Sequence, residues 1–463
     1  MLHENLNQML ADAVKQSGDA AAFLFKDEPI LYRDLDDKIR RCAAGLAALG
    51  IGKDDTFGIV LRNCPEFVIA FFALSRLGAV AVPVNFLEKG ERLGYIFHDA
   101  GVKGCLTARE FLGNVREAQK RVPTLKHLFL KTAGHDLPAF DSLLHQGDPP
   151  PEHPVAPNDL AMLIYTAGTT GSPKGVMLTH KNFVANVESC RKAIELSSAD
   201  RFMCVLPMFH SFAWTTNVLL PLRLGAGTVI IESLLPFEPV LHTIWKHNVN
   251  VFCGVPPIFS TLTQKVKGLK AMALRLINPV RLVVSGAAPL PAGVQKKFEE
   301  TFGTPLLEGY GLTEAAPVVS LNPLHGARKD GSVGLPLPDV RVKIVDDEER
   351  LLPDGQVGEI CVKGDNVMAG YYKRPQETRE AFTKDGWLKT GDLGLLEADG
   401  YLRIVDRKKD LIIVKGLNVY PQEVETVLRS HPAVDEAAVV GIYDSESGDE
   451  TVKAFVTLKR DAA

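Results

Sequence analysis

The chain has 463 residues, a mass of 50.5 kDa, a formal net charge of −4 and a pI near 6.3. Hydrophobic residues make up 46% and charged residues 23%, which is typical of a globular protein and excludes a disordered or fibrous chain. The near-neutral charge lacks the basic field that nucleic-acid binding requires. We therefore expect two or more packed units and no nucleic-acid partner.

The cysteines and the apolar stretches favour a cytoplasmic location. Seven cysteines are scattered singly, without a C-x-x-C pair, as in reduced core positions. The N-terminus shows no basic patch followed by an apolar run, so we expect no signal peptide. The longest apolar stretch, residues 67–86, is interrupted by Arg76, Gly78 and Pro83, so we expect no transmembrane segment. Peripheral contact with the inner face of a membrane is left open.

The predicted elements near the N-terminus alternate between helices and strands. A helix over residues 34–49 ends at Gly50, and a strand over 56–61, a helix over 65–77 and a strand over 79–84 follow. This order predicts an α/β fold with parallel sheets covered by helices on both faces. In such folds ligands bind beyond the carboxyl ends of the strands.

A segment rich in glycine and hydroxyl groups, residues 165–175, reads Tyr-Thr-Ala-Gly-Thr-Thr-Gly-Ser-Pro-Lys-Gly. It fits neither a helix nor a strand pattern. Its glycines let backbone N–H groups approach a polyanion, and Lys174 adds a charge suited to phosphate. It is not a Walker A loop, because Pro173 precedes the lysine and Gly175 follows it. The alternative is an ordinary surface loop between two strands.

Next to this segment we predict a strand over residues 160–165 and a helix over 178–191. His210 then stands alone among aromatic residues, a pattern more typical of a packed core histidine than of a catalytic one. A buried strand over 281–285 ends in Gly-Ala-Ala-Pro, residues 286–289. A strand that ends in small residues leaves room for a flat ring against bare backbone.

A second segment, residues 307–314, reads Leu-Glu-Gly-Tyr-Gly-Leu-Thr-Glu. Tyr310 can stack on a base, Thr313 can donate to a phosphate oxygen, and Glu314 can bind Mg²⁺ as a hard oxygen ligand. The alternative is a glycine turn with an exposed glutamate.

A third segment, residues 387–394, places Asp392 on a glycine-flanked turn, where a carboxylate can accept two hydrogen bonds from a diol. An Asx-turn is the alternative. Residues 331–336 and 358–360 are expected to be tight turns of a scaffold. The charge run 401–410 is typical of a solvated face. Beyond it, a strand, a helix and two strands predict a small α+β cap.

These three segments resemble the signatures of the adenylate-forming superfamily, which includes acyl-CoA synthetases, peptide-synthetase adenylation domains and firefly luciferase. The resemblance covers nearly the entire chain, and residues 315–323 are closer to bacterial long-chain fatty acyl-CoA synthetases. It implies a large N-terminal domain over residues 1–405, with parallel sheets, flanking helices and a small β-barrel-like subdomain. A hinge at 406–409 and an incomplete α+β cap over 410–463 complete the expected fold.

The resemblance also implies roles for individual residues. The implied ATP contacts are Tyr165, Thr166, Gly168, Thr169, Thr170, Gly171, Ser172, Lys174, Gly286, Ala287, Ala288, Glu308, Gly309, Tyr310, Gly311, Thr313, Asp392, Ile404 and Arg407. The implied catalytic residues are His210, Thr313, Glu314 and Lys174. Glu314 and Thr170 are implied to bind Mg²⁺. Lys409 is the implied hinge residue, and Gly416, Leu417 and Asn418 are implied to face CoA.

The implied activity is the ATP-dependent conversion of a medium- to long-chain fatty acid into its acyl-CoA thioester. The acid attacks the α-phosphorus of ATP, pyrophosphate leaves, and the thiol of CoA displaces AMP from the acyl-adenylate. One alternative is a CoA ligase for an aromatic or alicyclic acid. Another is a disabled protein that binds ATP or acyl-adenylate. A homodimer is left open.

The resemblance further implies a Gly-Lys beyond the position of Ala463, whose lysine contacts the substrate carboxylate and the α-phosphate. The printed sequence contains no such lysine. We therefore expect this chain to form acyl-adenylate about 10² to 10³ times more slowly than an extended version, because one charge-stabilising group is absent. Equal rates of pyrophosphate release from the two would contradict this expectation.

Overall fold

A computed structural model describes residues 3–134, 137–145, 153–166, 172–233, 238–266, 275, 278–414, 417–444 and 449–459. Strands and helices alternate along most of this chain. The strands are β1 (Ala21–Phe25), β2 (Glu28–Leu31), β3 (Thr56–Val60), β4 (Val80–Pro83), β5 (Gly104–Thr107), β6 (His127–Leu130), β7 (Leu160–Thr166), β8 (Lys174–Thr179), β9 (Arg201–Cys204), β10 (Gly227–Ile230), β11 (Val251–Gly254), β12 (Leu282–Ser285), β13 (Leu306–Gly311), β14 (Val318–Leu321), β15 (Leu335–Pro336), β16 (Arg341–Val345), β17 (Gly358–Lys363), β18 (Gly370–Tyr371), β19 (Leu388–Leu396), β20 (Leu402–Arg407), β21 (Ile412–Val414), β22 (Leu417–Val419), β23 (Val434–Asp444) and β24 (Asp449–Leu458).

The α-helices cover the sheets. They are α1 (Leu6–Ser17), α2 (Tyr32–Ala48), α3 (Pro65–Arg76), α4 (Gly90–Ala100), α5 (Leu112–Gln119), α6 (His180–Ala193), α7 (Ser211–Ala213), α8 (Leu220–Leu224), α9 (Glu238–Lys246), α10 (Pro256–Lys265), α11 (Ala292–Phe302), α12 (Pro375–Ala381) and α13 (Pro421–Arg429). A π-helical stretch, Trp214–Leu219, joins α7 to α8. Among the described residues, no helix has both the length and the hydropathy needed to cross a membrane.

Two large sheets form the body of the described chain and confirm the predicted α/β class. The nine-strand sheet has the order β15-β14-β13-β12-β11-β9-β10-β1-β2, and the seven-strand sheet has the order β18-β8-β7-β4-β3-β5-β6. The central pairs of both sheets are parallel, and the edge strands β2, β8, β14, β15 and β18 are antiparallel to their neighbours. Every residue of β3, β4 and β12 is buried, as expected for strands covered on both faces.

Helix α3 lies in the core, packed against β3 and β4 of the seven-strand sheet and against α2. It begins at Pro65, whose fixed φ suits the first helical position and whose missing N–H costs nothing there. All its residues from Phe67 to Ser75 are buried, and the Phe71 ring meets the Trp214 ring edge to face at 4.5 Å. An aromatic pair of this kind adds about 1 kcal/mol beyond the buried area. The helical layers of the two sheets therefore share one core.

Four antiparallel strands, in the order β16-β17-β19-β20, form a third, smaller sheet. It corresponds to the predicted small β subdomain. Two details of the prediction are wrong: residues 358–360 belong to β17 rather than to a tight turn, and Asp392 lies inside β19. Gly391 precedes it with φ +74, so a glycine kink exists, but within a strand that keeps pairing with β20.

The predicted helix over residues 178–191 begins later, at His180. Residues 174–179 form β8, which pairs antiparallel with β7. Thr179 caps the helix: its Oγ1 accepts from the Asn182 N–H at 3.2 Å, and Asn182 Oδ1 accepts from the Thr179 N–H at 2.8 Å. The glycine-rich segment thus connects β7 to β8. Tyr165 belongs to β7, as the predicted strand over residues 160–165 has it, whereas Thr166, Lys174 and Gly175 are strand residues, contrary to prediction.

Beyond residue 410 the described chain forms two hairpins, β21–β22 and β23–β24, with α13 packed against β23. The predicted strand, helix and two strands are all present, but the prediction missed β22, which pairs with β21. The Gln422 N–H at the start of α13 donates to Asp406 Oδ2 at 3.0 Å, which connects this part to β20. The domain boundaries at residues 405 and 410 stay a prediction.

Replacing Gly334 with Ala is expected to destabilise the fold by about 2 to 4 kcal/mol. Gly334 has φ +88, and an added Cβ would lie 2.0 Å from the backbone carbon of Leu321. The matched control is Gly355→Ala, because Gly355 has φ +81 and nothing within 4 Å of an added Cβ. That variant should be destabilised only by the cost of an alanine in the left-handed conformation, about 1 kcal/mol. Chemical denaturation of both variants measures the difference, and equal losses would contradict the expected clash.

Candidate functional site

One cavity of about 1220 Å³ brings the three sequence-predicted segments together. It lies at the carboxyl ends of β9, β11, β12 and β13, where ligands of open α/β sheets bind. The predicted site residues in its wall are Thr166, Lys174, His210, Gly286, Ala287, Ala288, Glu308, Gly309, Tyr310, Gly311, Thr313, Glu314, Asp392, Ile404, Arg407 and Lys409. Segments that are far apart in sequence therefore face a common space.

Several predicted contacts do not line this cavity. Tyr165 is directed elsewhere, because adjacent strand residues point to opposite faces and Thr166 takes the cavity face. The Tyr165 hydroxyl donates to Asp99 Oδ2 at 2.7 Å, so it is already engaged. Ser172 is exposed outside the wall, as is Asn418. Leu417 is in β22. The predicted contacts Gly168, Thr169, Thr170, Gly171 and Gly416 lie outside the described residues.

Tyr310, Asp392 and Arg407 form one linked group. The Tyr310 hydroxyl donates to Asp392 Oδ2 at 2.5 Å, and Arg407 Nε lies 3.5 Å from Asp392 Oδ1. Strands β19 and β20 place the latter two opposite each other. Burial raises the pKa of Asp392, while the Tyr310 hydroxyl and the Arg407 charge oppose that rise. The hydroxyl tether fixes the Tyr310 ring at the cavity wall, where its face can meet a flat ligand.

Glu314, Tyr371 and Lys174 form a second group. The Tyr371 hydroxyl donates to Glu314 Oε1 at 3.0 Å, and Lys174 Nζ lies 5.3 Å from the centre of the Tyr371 ring. Burial raises the pKa of Glu314, and the Tyr371 hydroxyl acts in the opposite direction. A carboxylate and an ammonium group thus face the cavity with one aromatic ring between them.

His210 and Thr313 border the middle of the cavity. The hydroxyls of Thr313 and Ser211 lie 3.3 Å apart, and Ser211 follows His210 at the start of α7. The imidazole of His210 is exposed at the cavity, and desolvation by the surrounding protein lowers its pKa. His210 is therefore neutral near pH 7 and can accept or donate a hydrogen bond at the cavity surface.

The turn after β12 provides a flat, bare stretch of backbone. A Cβ added at Gly286 would lie 3.1 Å from the Phe212 ring, so any larger residue would crowd it. Ala287 adopts φ +65 and lies in the cavity wall with Gly286 and Ala288. Glu308 holds the far end of the turn, because its Oε1 accepts from the Leu290 N–H at 2.8 Å. Small residues and a fixed backbone leave room for a planar ligand.

Stability is expected to fall as the pH rises from about 4.5 to about 7, in part because of Glu308. Burial raises the pKa of Glu308 to about 7, so the folded chain keeps this proton after the unfolded chain has lost it. The protonated Glu308 carboxyl contributes about 3 kcal/mol to the free energy of unfolding. This contribution is complete below the pKa of Glu308 in the unfolded chain and is lost above its pKa in the folded chain. Denaturant unfolding of the wild type and of Glu308→Gln across this range measures it. Identical pH slopes in the two proteins would contradict the assignment.

The cavity continues into a mostly apolar section beneath π-helix residues 214–219. Its wall consists of Cys190, Ile194, Leu196, Phe202, Thr216, Leu220, Val251, Cys253, Leu282 and Val284. Leu282 and Gly286 lie four residues apart, or roughly 13 Å at strand spacing. The cavity therefore runs along the face of the nine-strand sheet from its polar mouth towards the amino ends of the strands.

Sequence reasoning missed several wall residues. Tyr371 and Lys408 line the cavity, yet no spacing in the sequence marks them as cavity residues. Lys408 Nζ pairs with Glu359 Oε2 at 2.9 Å. Tyr371 follows Gly370, which adopts φ +136 in the structure.

Comparisons with known proteins show which family this chain matches. Residues 10–372 match a family described as AMP-binding enzyme, and residues 423–463 match the AMP-binding enzyme C-terminal domain. A long-chain-fatty-acid–CoA ligase from Escherichia coli O6:H1 is 34% identical over 99% of this chain and 86% of the relative. A feruloyl-CoA synthase from an Amycolatopsis species is also 34% identical, over 98% of this chain and 89% of the relative.

A solved structure with the same architecture is o-succinylbenzoate coenzyme A synthetase from Bacillus subtilis in complex with ATP and magnesium ion. It superposes with a TM-score of 0.85 at 30% identity, covering 97% of this chain and 89% of that chain. The likeness therefore extends across both large sheets and the part beyond residue 410.

Proposed function

The chain belongs to the AMP-binding enzyme family, an adenylate-forming family, and from this premise we propose that it is an ATP-dependent fatty acyl-CoA ligase. The acid attacks the α-phosphorus of ATP, pyrophosphate leaves, and the thiol of CoA then displaces AMP. The observation that carries the proposal is the single cavity that joins Lys174, Glu314 and Asp392 to a long apolar section.

The polar mouth of the cavity supplies the groups that ATP requires. Lys174 and Thr166 are proposed to contact the β- and γ-phosphates, and Thr313 the α-phosphate. The bare turn at residues 286–288 and the Tyr310 ring are proposed to enclose the adenine. Asp392 with Arg407 is proposed to bind the ribose hydroxyls, because a carboxylate with one oxygen beside each partner retains lone pairs for a diol.

The residues at the mouth also fit Mg²⁺. Among the described residues, no group of three or more His, Cys, Asp or Glu side chains could hold a metal by itself. This suits Mg²⁺, which usually binds through one or two carboxylates plus substrate phosphates. When bound, the ion neutralises charge that develops on the phosphates. Glu314, oriented by Tyr371, is the proposed carboxylate.

The apolar section supports an extended aliphatic tail. Among the described residues of the cavity wall, every lysine and arginine belongs to a segment at the polar mouth: these are Lys174, Arg407, Lys408 and Lys409. The deep part holds aliphatic, thiol and aromatic groups and the Thr216 hydroxyl, which donates to the Phe212 carbonyl at 2.8 Å. This lining favours a methylene chain over a second carboxylate. His210 would border the reacting carboxyl group, where the two sections meet.

AMP formation across a series of acids tests the proposal. With CoA and ATP, we expect turnover to rise from acetate towards octanoate and longer saturated acids, and to stay low with benzoate and ferulate. Higher kcat/KM for an aromatic acid would instead support the second candidate, a CoA ligase for aromatic acids, which the 34% identical feruloyl-CoA synthase favours. Absence of AMP formation with every acid would support a binding protein without turnover.

Replacing Ile194 with Trp is expected to shorten the range of accepted acids. Ile194 is half-buried at the end of α6 and lines the deep section, so an indole there fills space that a long tail would occupy. We expect kcat/KM for palmitate to fall about 10-fold or more while that for hexanoate changes little, since one or a few lost methylene contacts are worth 10- to 200-fold. The matched control is Glu195→Trp, the exposed neighbour outside the wall. Equal effects on both acids would contradict the placement.

The finer expectations stay predictions. These are the impaired adenylation of the printed chain, the hinge at Lys409, the contact of Gly416, Leu417 and Asn418 with CoA, peripheral membrane contact, and a homodimer. Each needs a measurement of its own, such as pyrophosphate release from an extended chain or sedimentation for the oligomeric state.

A further inference from the structure

One short stretch, residues 366–374, contacts both charged groups at the phosphate side of the cavity. Its strand β18 adds to the edge of the seven-strand sheet, with Tyr371 opposite Val176 on β8. The Tyr372 N–H donates to the Gly175 carbonyl at 2.8 Å. The stretch is therefore fixed to the chain directly after Lys174.

The same stretch also holds the backbone around Glu314. The Met368 N–H donates to the Glu314 carbonyl at 2.8 Å, and Asn366 Nδ2 donates to the Ala315 carbonyl at 2.8 Å. Asn366 is 1% exposed, so this bond is shielded from water. Two sheets that are separate in topology are connected here, next to the cavity.

The Tyr371 side chain contacts one residue of the seven-strand sheet and one residue of the turn that follows β13 of the nine-strand sheet. Its hydroxyl donates to Glu314 Oε1 at 3.0 Å, and Lys174 Nζ lies over its ring, 5.3 Å from the ring centre. Glu314 and Lys174 are thus spaced by a rigid side chain with only two rotatable bonds. A tyrosine hydroxyl that donates to a carboxylate restricts the rotation of that carboxylate.

The backbone around Tyr371 is also held in place by contacts with α12 and with Asp99. Its N–H donates to Thr378 Oγ1 at 2.9 Å on α12. Arg374 Nη2 donates to Asp99 Oδ1 at 2.7 Å, and Asp99 also accepts the Tyr165 hydroxyl at 2.7 Å. Gly370 supplies the bend, because its φ is +136 and an added Cβ would lie 2.6 Å from Thr378 Cγ2. These contacts leave the Tyr371 ring little freedom to shift.

We propose that Tyr371 is a positioning residue that sets the Glu314 carboxylate and the Lys174 ammonium group at a fixed separation, ready for a metal-bound triphosphate. The inference rests on the proposed function, since it takes MgATP as the ligand. Groups that orient a metal-binding carboxylate typically contribute 10- to 100-fold to metal affinity. Tyr371 need not touch the reacting atoms to have this effect.

Calorimetric binding of ATP in two conditions tests the inference. With Tyr371→Phe, we expect the Kd for ATP in excess Mg²⁺ to rise about 10-fold or more, while the Kd in EDTA changes little, because the ring under Lys174 remains. With Tyr371→Leu, the Kd in EDTA should rise as well, because the ring is lost. The matched control is Tyr372→Phe, which alters the adjacent tyrosine outside the cavity wall and should change neither Kd.

The outcomes separate the inference from the proposed function. If Tyr371→Phe weakens ATP binding equally in Mg²⁺ and in EDTA, or in neither condition, the positioning role is overturned. A drop in thermal unfolding temperature with equal weakening in both conditions would mark Tyr371 as a general structural residue, which also overturns the inference. If the wild type binds ATP in neither condition, the proposed function fails, irrespective of Tyr371.

Discussion

Glu314→Gln is expected to lower kcat for acyl-adenylate formation about 10²- to 10³-fold. Glu314 is the proposed carboxylate for Mg²⁺, and its amide analogue carries no charge to balance the ion. Pyrophosphate release at saturating ATP and acid measures the effect. The fold itself should not suffer, because burial already raises the pKa of Glu314 and an uncharged side chain is easier to bury there.

The thermal unfolding temperature of Glu314→Gln serves as its control. An unchanged or higher unfolding temperature together with the loss of kcat supports a chemical role. If kcat is retained within a few-fold at saturating Mg²⁺, Glu314 does not bind the ion, and the assignment of the phosphate side is wrong.

Asp392→Asn is expected to raise KM for ATP about 10²-fold, since hydrogen bonds to a charged acceptor contribute about 1.5 to 3 kcal/mol each. The carboxylate would otherwise accept from the ribose hydroxyls while Arg407 balances its charge. Replacing it also breaks the bond from the Tyr310 hydroxyl. Tyr310→Phe separates the two effects, because it removes that bond but leaves the carboxylate.

Comparison of ATP with 2′-deoxy-ATP makes the ribose assignment specific. The wild type and Tyr310→Phe should discriminate against the deoxy nucleotide, whereas Asp392→Asn should lose most of that discrimination. Equal discrimination by all three proteins would show that Asp392 does not contact the 2′-hydroxyl, even if KM rises.

The chemistry-bearing segments could be predicted from the sequence because their residue types are unusual outside a phosphate site. Lys174 in a glycine and hydroxyl run, Glu314 after Gly-Tyr-Gly, and Asp392 beside Gly391 each suggested a role that needed a shared cavity, and they share one. The α/β class followed from alternating elements with short connections.

The local backbone was harder to predict, for a physical reason. Residues 174–175 were predicted to be loop and residues 178–179 to begin a helix, but pairing with β7 makes residues 174–179 a strand, and such pairing is not local information. Asp392 read as a turn residue because glycine precedes it, whereas cross-strand bonds to β20 keep it extended. Tyr371 carried no signal, because its importance comes from neighbours far away in sequence.

All three sheets contribute charged residues to the cavity: among these, Lys174 comes from the seven-strand sheet, Glu314 from the chain leaving the nine-strand sheet, and Asp392 from the four-strand sheet. No single sheet contains a complete site. Gradual heating should therefore abolish turnover as soon as the weakest of the three loosens, while most helical circular dichroism persists. Loss of catalytic activity would then detect the loosening of this site at a lower temperature than a spectroscopic signal averaged over the whole chain would.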